Sequence, residues 1–215
     1  MTKNKIILIV IGLLFSIKLS AQNEFKIGVN AGLNYPNIIY NGNYKNNNFS
    51  IGYLFGVSLD YYLKENLSLK ANVNYERKTR KLELTYYNNS NAEEIGKEDF
   101  KETYDYINLP VLLKYEFGNS KFFVNGGPFL SFLLKNKIDN DYPNDNSDFI
   151  TDLKNIDFGL SLGIGTNISL NEKNDLTIEL RDDFGIIDIG GVSRQAGGTA
   201  KTNAIKLVLG WNLGI

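Results

Sequence analysis

The chain has 215 residues, room for one domain, and its 23 basic and 24 acidic residues leave a formal net charge of -1, so no global field draws it to nucleic acid or to an anionic surface. It contains no cysteine and no histidine. That excludes a disulfide framework, thiolate metal sites and a lipidated amino-terminal cysteine, and it weakens most hydrolase mechanisms by removing the commonest general base.

The first segment reads as an address. Lys3 and Lys5 precede an apolar run from Ile6 to Ile17, and Ser20 and Ala21 follow it before the polar Gln22 and Asn23. This is the layout of a secretory signal peptide, with cleavage expected after Ala21, although Leu19 stands where a small residue is preferred. An uncleaved anchor is the alternative, disfavoured by the shortness of the run. The expected division is therefore a signal peptide over 1–21 and one β-barrel domain over 22–215.

From Phe25 to Tyr35 every odd position is apolar (Phe25, Ile27, Val29, Ala31, Leu33, Tyr35), whereas Lys26, Gly28, Asn30, Gly32 and Asn34 fill the even ones. A period of two is that of a strand with unlike faces. The pattern recurs over Ile51–Leu63, Leu67–Lys78, Tyr104–Phe117, Lys121–Leu134, Asn155–Ile168, Asp175 to about Phe184, and Ala204–Ile215. Eight strands are predicted and no segment carries a convincing helical period. Short links (Lys64 to Asn66, Gly118 to Ser120, Ser169 to Asn174) alternate with long polar ones (Pro36 to Ser50, Thr79 to Thr103, Lys135 to Lys154, Gly185 to Asn203). An up-and-down barrel in an outer membrane has this asymmetry, with short turns and both termini in the periplasm and long loops outside.

Alternation alone leaves a soluble barrel open, with its apolar face turned inward. Three features favour the membrane. The strands reach ten residues or more, as a tilted span of the bilayer requires. The polar face is crowded with Gly28, Gly32, Gly52, Gly56, Gly159, Gly163, Gly165 and Gly210, which suits a narrow lumen. The aromatics gather near strand ends, with Phe25, Tyr61, Tyr115, Phe117, Phe122 and Trp211 towards one rim and Tyr35, Tyr53, Tyr75 and Phe132 towards the other, as two interfacial girdles would. The general preference of aromatics for strands accounts for their number but not their placement. The expected fold is an all-β, eight-stranded antiparallel up-and-down transmembrane β-barrel preceded by a signal peptide.

The lumen-facing positions carry Lys26, Asp60, Lys70, Glu76, Lys114, Glu116, Asp157, Glu179, Arg181 and Lys206, a mixture of signs that calls for paired charges filling the interior. An acid-base site on Glu179 and Arg181 is the competing possibility, but spacing identifies no nucleophile beside them. Pro110, inside a strand, calls for a bulge that helps close the barrel. At Arg80 to Tyr86 the apolar residues move to even positions (Leu82, Leu84, Tyr86), which implies a bulge or fresh register and a hairpin of the third and fourth predicted strands projecting beyond the membrane. The run Asp139 to Asp148 is rich in oxygen ligands, yet without the glycine and distal glutamate of an EF-hand it reads as a solvated acidic loop before a calcium site. Gly190, Gly191, Gly197 and Gly198 lack the strand-turn-helix context of a phosphate loop and indicate flexibility.

The sequence Tyr106-Ile107-Asn108-Leu109-Pro110-Val111-Leu112-Leu113-Lys114-Tyr115, followed by Asn125-Gly126-Gly127-Pro128, resembles the PorT-like family of outer-membrane β-barrel proteins. Asp157-Phe158-Gly159-Leu160 with Gly163 and Gly165, and the ending Gly210-Trp211-Asn212-Leu213-Gly214, extend the resemblance across the mature chain. It implies the fold and the cell outer membrane, and brings no catalytic residues. Many outer-membrane barrels end in an aromatic, and here the last residue is Ile215, a departure from that pattern.

The expected function is that of a small outer-membrane barrel with a side-chain-filled lumen and long extracellular loops, in a structural or interaction role and not an enzyme. An accessory part in protein export is the alternative, and a membrane-embedded enzyme comes behind both. No catalytic, cofactor-binding or metal-binding residue is assigned and no cofactor is expected. The partners expected are outer-membrane lipid and a protein at the loops or at the edge of the third and fourth predicted strands, with no nucleic acid.

Overall fold

The computed structural model describes residues 25–40, 48–87, 94–139, 153–190 and 199–215. The segment read as a signal peptide, the acidic run after Asp139, and Gly191, Gly197 and Gly198 lie outside the described residues. In chain order the elements are β1 (Phe25–Tyr40), β2 (Asn48–Phe49), β3 (Gly52–Lys64), β4 (Leu67–Tyr87), β5 (Glu94–Glu116), a short 3-10 turn (Gly118–Ser120), β6 (Phe122–Asp139), β7 (Ile156–Ser169), β8 (Asn174–Gly185) and β9 (Ala200–Gly214). Every pairing is antiparallel, and each long strand pairs with its neighbours in sequence. The ladder of β1 with β9 joins the two ends of the chain, so that β1, β3 to β9 form a closed eight-stranded barrel without a free edge in its wall.

The two faces divide as the period of two demands. On the outside Val29, Phe55, Leu162 and Leu209 are 54, 53, 58 and 55 % exposed, while on the inside Asp60, Glu76, Arg181 and Lys206 are 2, 0, 1 and 1 % exposed. A soluble barrel would have the opposite arrangement. The apolar band is bordered by aromatic contacts on both sides: Phe25 against Tyr61 at 5.0 Å and Tyr115 against Phe117 at 5.3 Å near the tight turns, and Tyr53, Phe55 and Tyr75 in mutual contact near the other rim.

The tight turns have local causes. Between β5 and β6, Gly118 (φ 50°) and Lys121 (φ 58°) both adopt left-handed backbone, the first at no steric cost. Between β7 and β8, the Asn171 side-chain oxygen accepts from the backbone N–H groups of Lys173 (3.0 Å) and Asn174 (2.9 Å), closing an Asx-type turn.

Three sequence expectations are corrected. Strands β1, β4, β5, β6 and β9 run well into segments read as loops, most of all β4, to Tyr87, and β5, from Glu94. Pro110 produces no bulge: Ala71↔Val111 and Asn74↔Asn108 keep one register across it, as do Pro110↔Phe129 and Leu113↔Gly126 on the other side. The missing N–H is absorbed as a short gap in the ladder. The parity change at Arg80 to Tyr86 also comes without a register shift, because β4 and β5 stay in step from Leu67↔Tyr115 to Tyr86↔Gly96. The backbone ladder continues unchanged there while the apolar residues change parity. The bulges fall elsewhere, at Tyr62/Lys64, at Tyr86/Tyr87 and, in β6, where Asp105↔Lys135 gives way to Tyr106↔Leu133 and leaves Leu134 unpaired.

Candidate functional site

Inward-facing side chains of all eight wall strands meet in the lumen, and the ten charged positions predicted from parity all face it. At the end near the tight turns, Lys26 Nζ lies 2.5 Å from Asp175, which also accepts from Ser169 (2.8 Å). The next group joins three strands: Lys114 Nζ bridges Glu116 (2.9 Å) and Asp60 (3.2 Å), and Lys70 approaches Asp60 at 3.7 Å. Glu116 further accepts from Tyr62 (3.2 Å) and Asn167 (3.0 Å), and the Lys114 ammonium stands 4.6 Å from the centre of the Phe123 ring.

Midway along the lumen, Arg181 Nε donates to Glu179 Oε1 at 2.6 Å and Asn125 donates to the same oxygen at 2.9 Å. Beside it Lys206 bridges Glu76 and Asp183, and Asp183 also accepts from Ser161 and, at 3.3 Å, from Asn108. Glu179 and Arg181 thus form an ion pair in the interior rather than an open acid-base site. Ser161, Asp183 and Lys206 are no more than 1 % exposed, so no solvent route reaches the serine hydroxyl.

Towards the far rim Lys78 lies 3.8 Å from Glu76 and 5.0 Å from the centre of the Tyr106 ring. Asp157 is held by Thr202 at 2.6 Å. Arg80 Nε donates to Glu102 at 2.8 Å, and Tyr104 donates to the same carboxylate. At the level of Glu76 and Lys78, whose ladder partners are Tyr106 and Tyr104, sits a small apolar cluster of Tyr104, Tyr106, Leu153, Ile189 and Ala200, with Leu133 and Ile187 packed against it. Ile189 is folded over the mouth by paired backbone: its N–H donates to Ala200 O and its carbonyl accepts from Lys154 N, both at 2.9 Å. Asp188 accepts from the N–H groups of Gly190 (3.1 Å) and Ala200 (2.7 Å), fixing the bend. The lumen is therefore filled by paired charges and closed at one end by an apolar cap. Among the described residues no cluster of carboxylates is placed to hold a metal ion.

Sequence reasoning missed Asp183, Asp175, Lys78, Arg80 and Glu102 in this network. The first two share the odd parity of Glu179 and Arg181, and Lys78 shares the even parity of Glu76, so the signal was present. Arg80 and Glu102 lie where the strands were thought to end. The cap residues Leu153 and Ile189 leave no periodic mark at all.

The family model described as outer membrane protein beta-barrel domain matches residues 20–190, which takes in β1 through β8 and the cap up to Gly190. The chain belongs to that outer-membrane β-barrel family. The match stops short of β9, which the fold supplies through its ladders with β1 and β8. Neisserial surface protein A is similar in structure, at 18 % identity and a TM-score of 0.45, with 88 % of this chain and 96 % of that one covered. So is OprG of Pseudomonas aeruginosa, at 13 % identity and a TM-score of 0.48, covering 90 % of this chain and 95 % of that one. Ail, the attachment invasion locus protein of Yersinia pestis, aligns at 8 % identity and a TM-score of 0.41, over 88 % of this chain and 98 % of that one. No curated protein matches the sequence. As an outer-membrane barrel the chain lives in lipid, with its exposed apolar band against acyl chains and the paired charges of the lumen turned away from them, while Asp182 on the outer face accepts from Asn203 at 2.8 Å.

Proposed function

We propose that this barrel is a PorT-like, non-enzymatic outer-membrane protein that works through its outer surface, with its termini in the periplasm. The observation that carries this is the projection of β4 and β5 beyond the rest of the wall. Above Lys81 in β4 and before Lys101 in β5, these strands pair only with each other among the described residues, because β2 reaches no further than Arg80 and Lys81 and β6 ends opposite Lys101. A two-stranded ribbon whose edges, among the described residues, carry no further strand offers backbone groups to a protein that adds one. The filled lumen supports the same choice, since it leaves the exterior as the surface available for contact.

Purification from native membranes under mild detergent, compared with a variant carrying Thr85→Pro in β4 and Lys97→Pro in β5, tests the proposal. Co-purification of a defined protein with the parent, lost in the variant while the barrel remains folded, is the expected result. An accessory role in export is the case in which that protein belongs to a secretion machine. Retention of the same partners by the variant would refute the hairpin as the contact.

A further inference from the structure

Outward-facing charges beyond the aromatic girdle are unevenly spread around the barrel. Arg77 in β4 pairs across the ladder with Tyr53 of the girdle and with Asp105, and Asp105 pairs with Lys135. The next rung outward holds Thr79, Thr103 and Lys137, and the one after it Lys81, Lys101 and Asp139. These three rungs carry five cations against two carboxylates. Lys81, Lys101, Lys135 and Lys137 are exposed, and the Arg77 side chain is 40 % exposed while chelating Asp105 at 2.7 and 2.9 Å. Further along the same ladder Glu83 is the register partner of Asp99. On the remaining arc the outward positions include the apolar Ile51, Ile156 and Ile186, 66, 47 and 47 % exposed, and Asp182, which accepts from Asn203 at 2.8 Å. Lys154 and Lys201 are the cations among the described residues there.

Two features mark the basic arc as built to receive an anion. Lys81 and Lys101 stand directly opposite each other on the β4–β5 ladder, a like-charge pair that costs a sheet stability and that an anion above the two ammonium groups relieves, with Asp139 the ladder partner of Lys101 alone. The unpaired Leu134 reverses the parity of β6 at the rim, so that Lys135 and Lys137 follow Arg77 and Thr79 onto the outer face instead of entering the capped mouth. From Arg77 to Lys81 the chain rises about 13 Å along a tilted strand, which carries the cations from the girdle through the headgroup layer of a bilayer.

We propose that the outer face of β4, β5 and β6 above the Tyr53 and Tyr75 girdle binds the phosphates of an anionic outer-leaflet lipid. The acyl chains of that lipid lie on the apolar band below, and the half-buried Thr103 adds a hydroxyl donor between the two basic rungs. The inference rests on the proposed orientation of the barrel only in placing this arc at the outer leaflet. Its test is therefore done in micelles, where sidedness has no part.

Native mass spectrometry of the full mature barrel is carried out with bisphosphorylated lipid A and with the same lipid after removal of its phosphates. The parent protein should retain the phosphorylated form at least about tenfold more strongly. A triple variant, Lys81→Gln, Lys101→Gln and Lys135→Gln, should lose that preference, while Lys154→Gln with Lys201→Gln keeps it. Folding of each is checked by heat-modifiable mobility on gels. Equal retention of the two lipids by the parent, or equal loss in both variants, would overturn the proposal. So would displacement of lipid A by inorganic tripolyphosphate at similar concentration, which would assign the arc to soluble polyanions.

Discussion

Arg181 shows how a single side chain is held in this interior. It is 1 % exposed, its Nε is 2.6 Å from Glu179, and Glu179 is equally buried, so the pair has no access to water that could take over from either partner. Removing one member of such a pair leaves the other desolvated, at a cost of about 3 kcal/mol. Arg181→Ala should accordingly lower the urea midpoint of the detergent-folded barrel by an amount of that order, whereas Arg181→Lys, which keeps the charge but loses the planar fork, should cost less. Equal stability of Arg181→Ala and parent would show that the pair contributes nothing net. Glycine at the wall is a second residue-scale constraint. A Cβ on Gly159 would lie 1.9 Å from the Phe184 carbonyl oxygen and 2.6 Å from the Phe129 ring, whereas on Gly210 the nearest atom, Thr177 Cβ, is 3.5 Å away. Gly159→Ala should therefore reduce the yield of heat-modifiable barrel sharply and Gly210→Ala should not, a contrast that semi-native gels of the two variants read directly.

At the scale of elements, the alternation of tight turns and long connections is the basis of the proposed sidedness of the barrel. The chain lacks cysteine, so single-cysteine variants report position without background. Gly96→Cys, at an exposed site on the projecting β5 with nothing within 4 Å of the added Cβ, should react with a membrane-impermeant maleimide on intact cells. Glu65→Cys and Lys173→Cys, in the turns β3–β4 and β7–β8, should react only after the outer membrane is opened. The reverse labelling would invert the proposed topology. The length of β4 and β5 escaped sequence analysis because strand detection by apolar alternation needs the same face to stay apolar. Above the girdle that condition ends, although the hydrogen-bond ladder does not. The β6 bulge at Leu134 was hidden for a related reason, since Phe132, Leu133 and Leu134 are all apolar and give no parity to break.

For the molecule as a whole, a closed wall of eight strands leaves a lumen only wide enough for side chains. Here that space is occupied by ion pairs from end to end, with Tyr104, Tyr106, Leu153 and Ile189 closing the rim. The refolded protein should give no steady, large conductance in planar bilayers. A stable water-filled pore would mean that the interior is rearranged in the membrane. The sequence by itself determined the class of fold, the number of wall strands, the apolar outer band with its two girdles and ten inward charges, because each follows from a period of two that one chain carries locally. Only the tertiary structure decided which charges meet, that the hairpin of β4 and β5 outruns its neighbours, that Leu153 and Ile189 cap the mouth, and that five cations share one arc of the rim. Those facts depend on strand register, on bulges and on contacts between residues far apart in the chain, such as Glu76 with Lys206, 130 positions away, and no local periodicity encodes them.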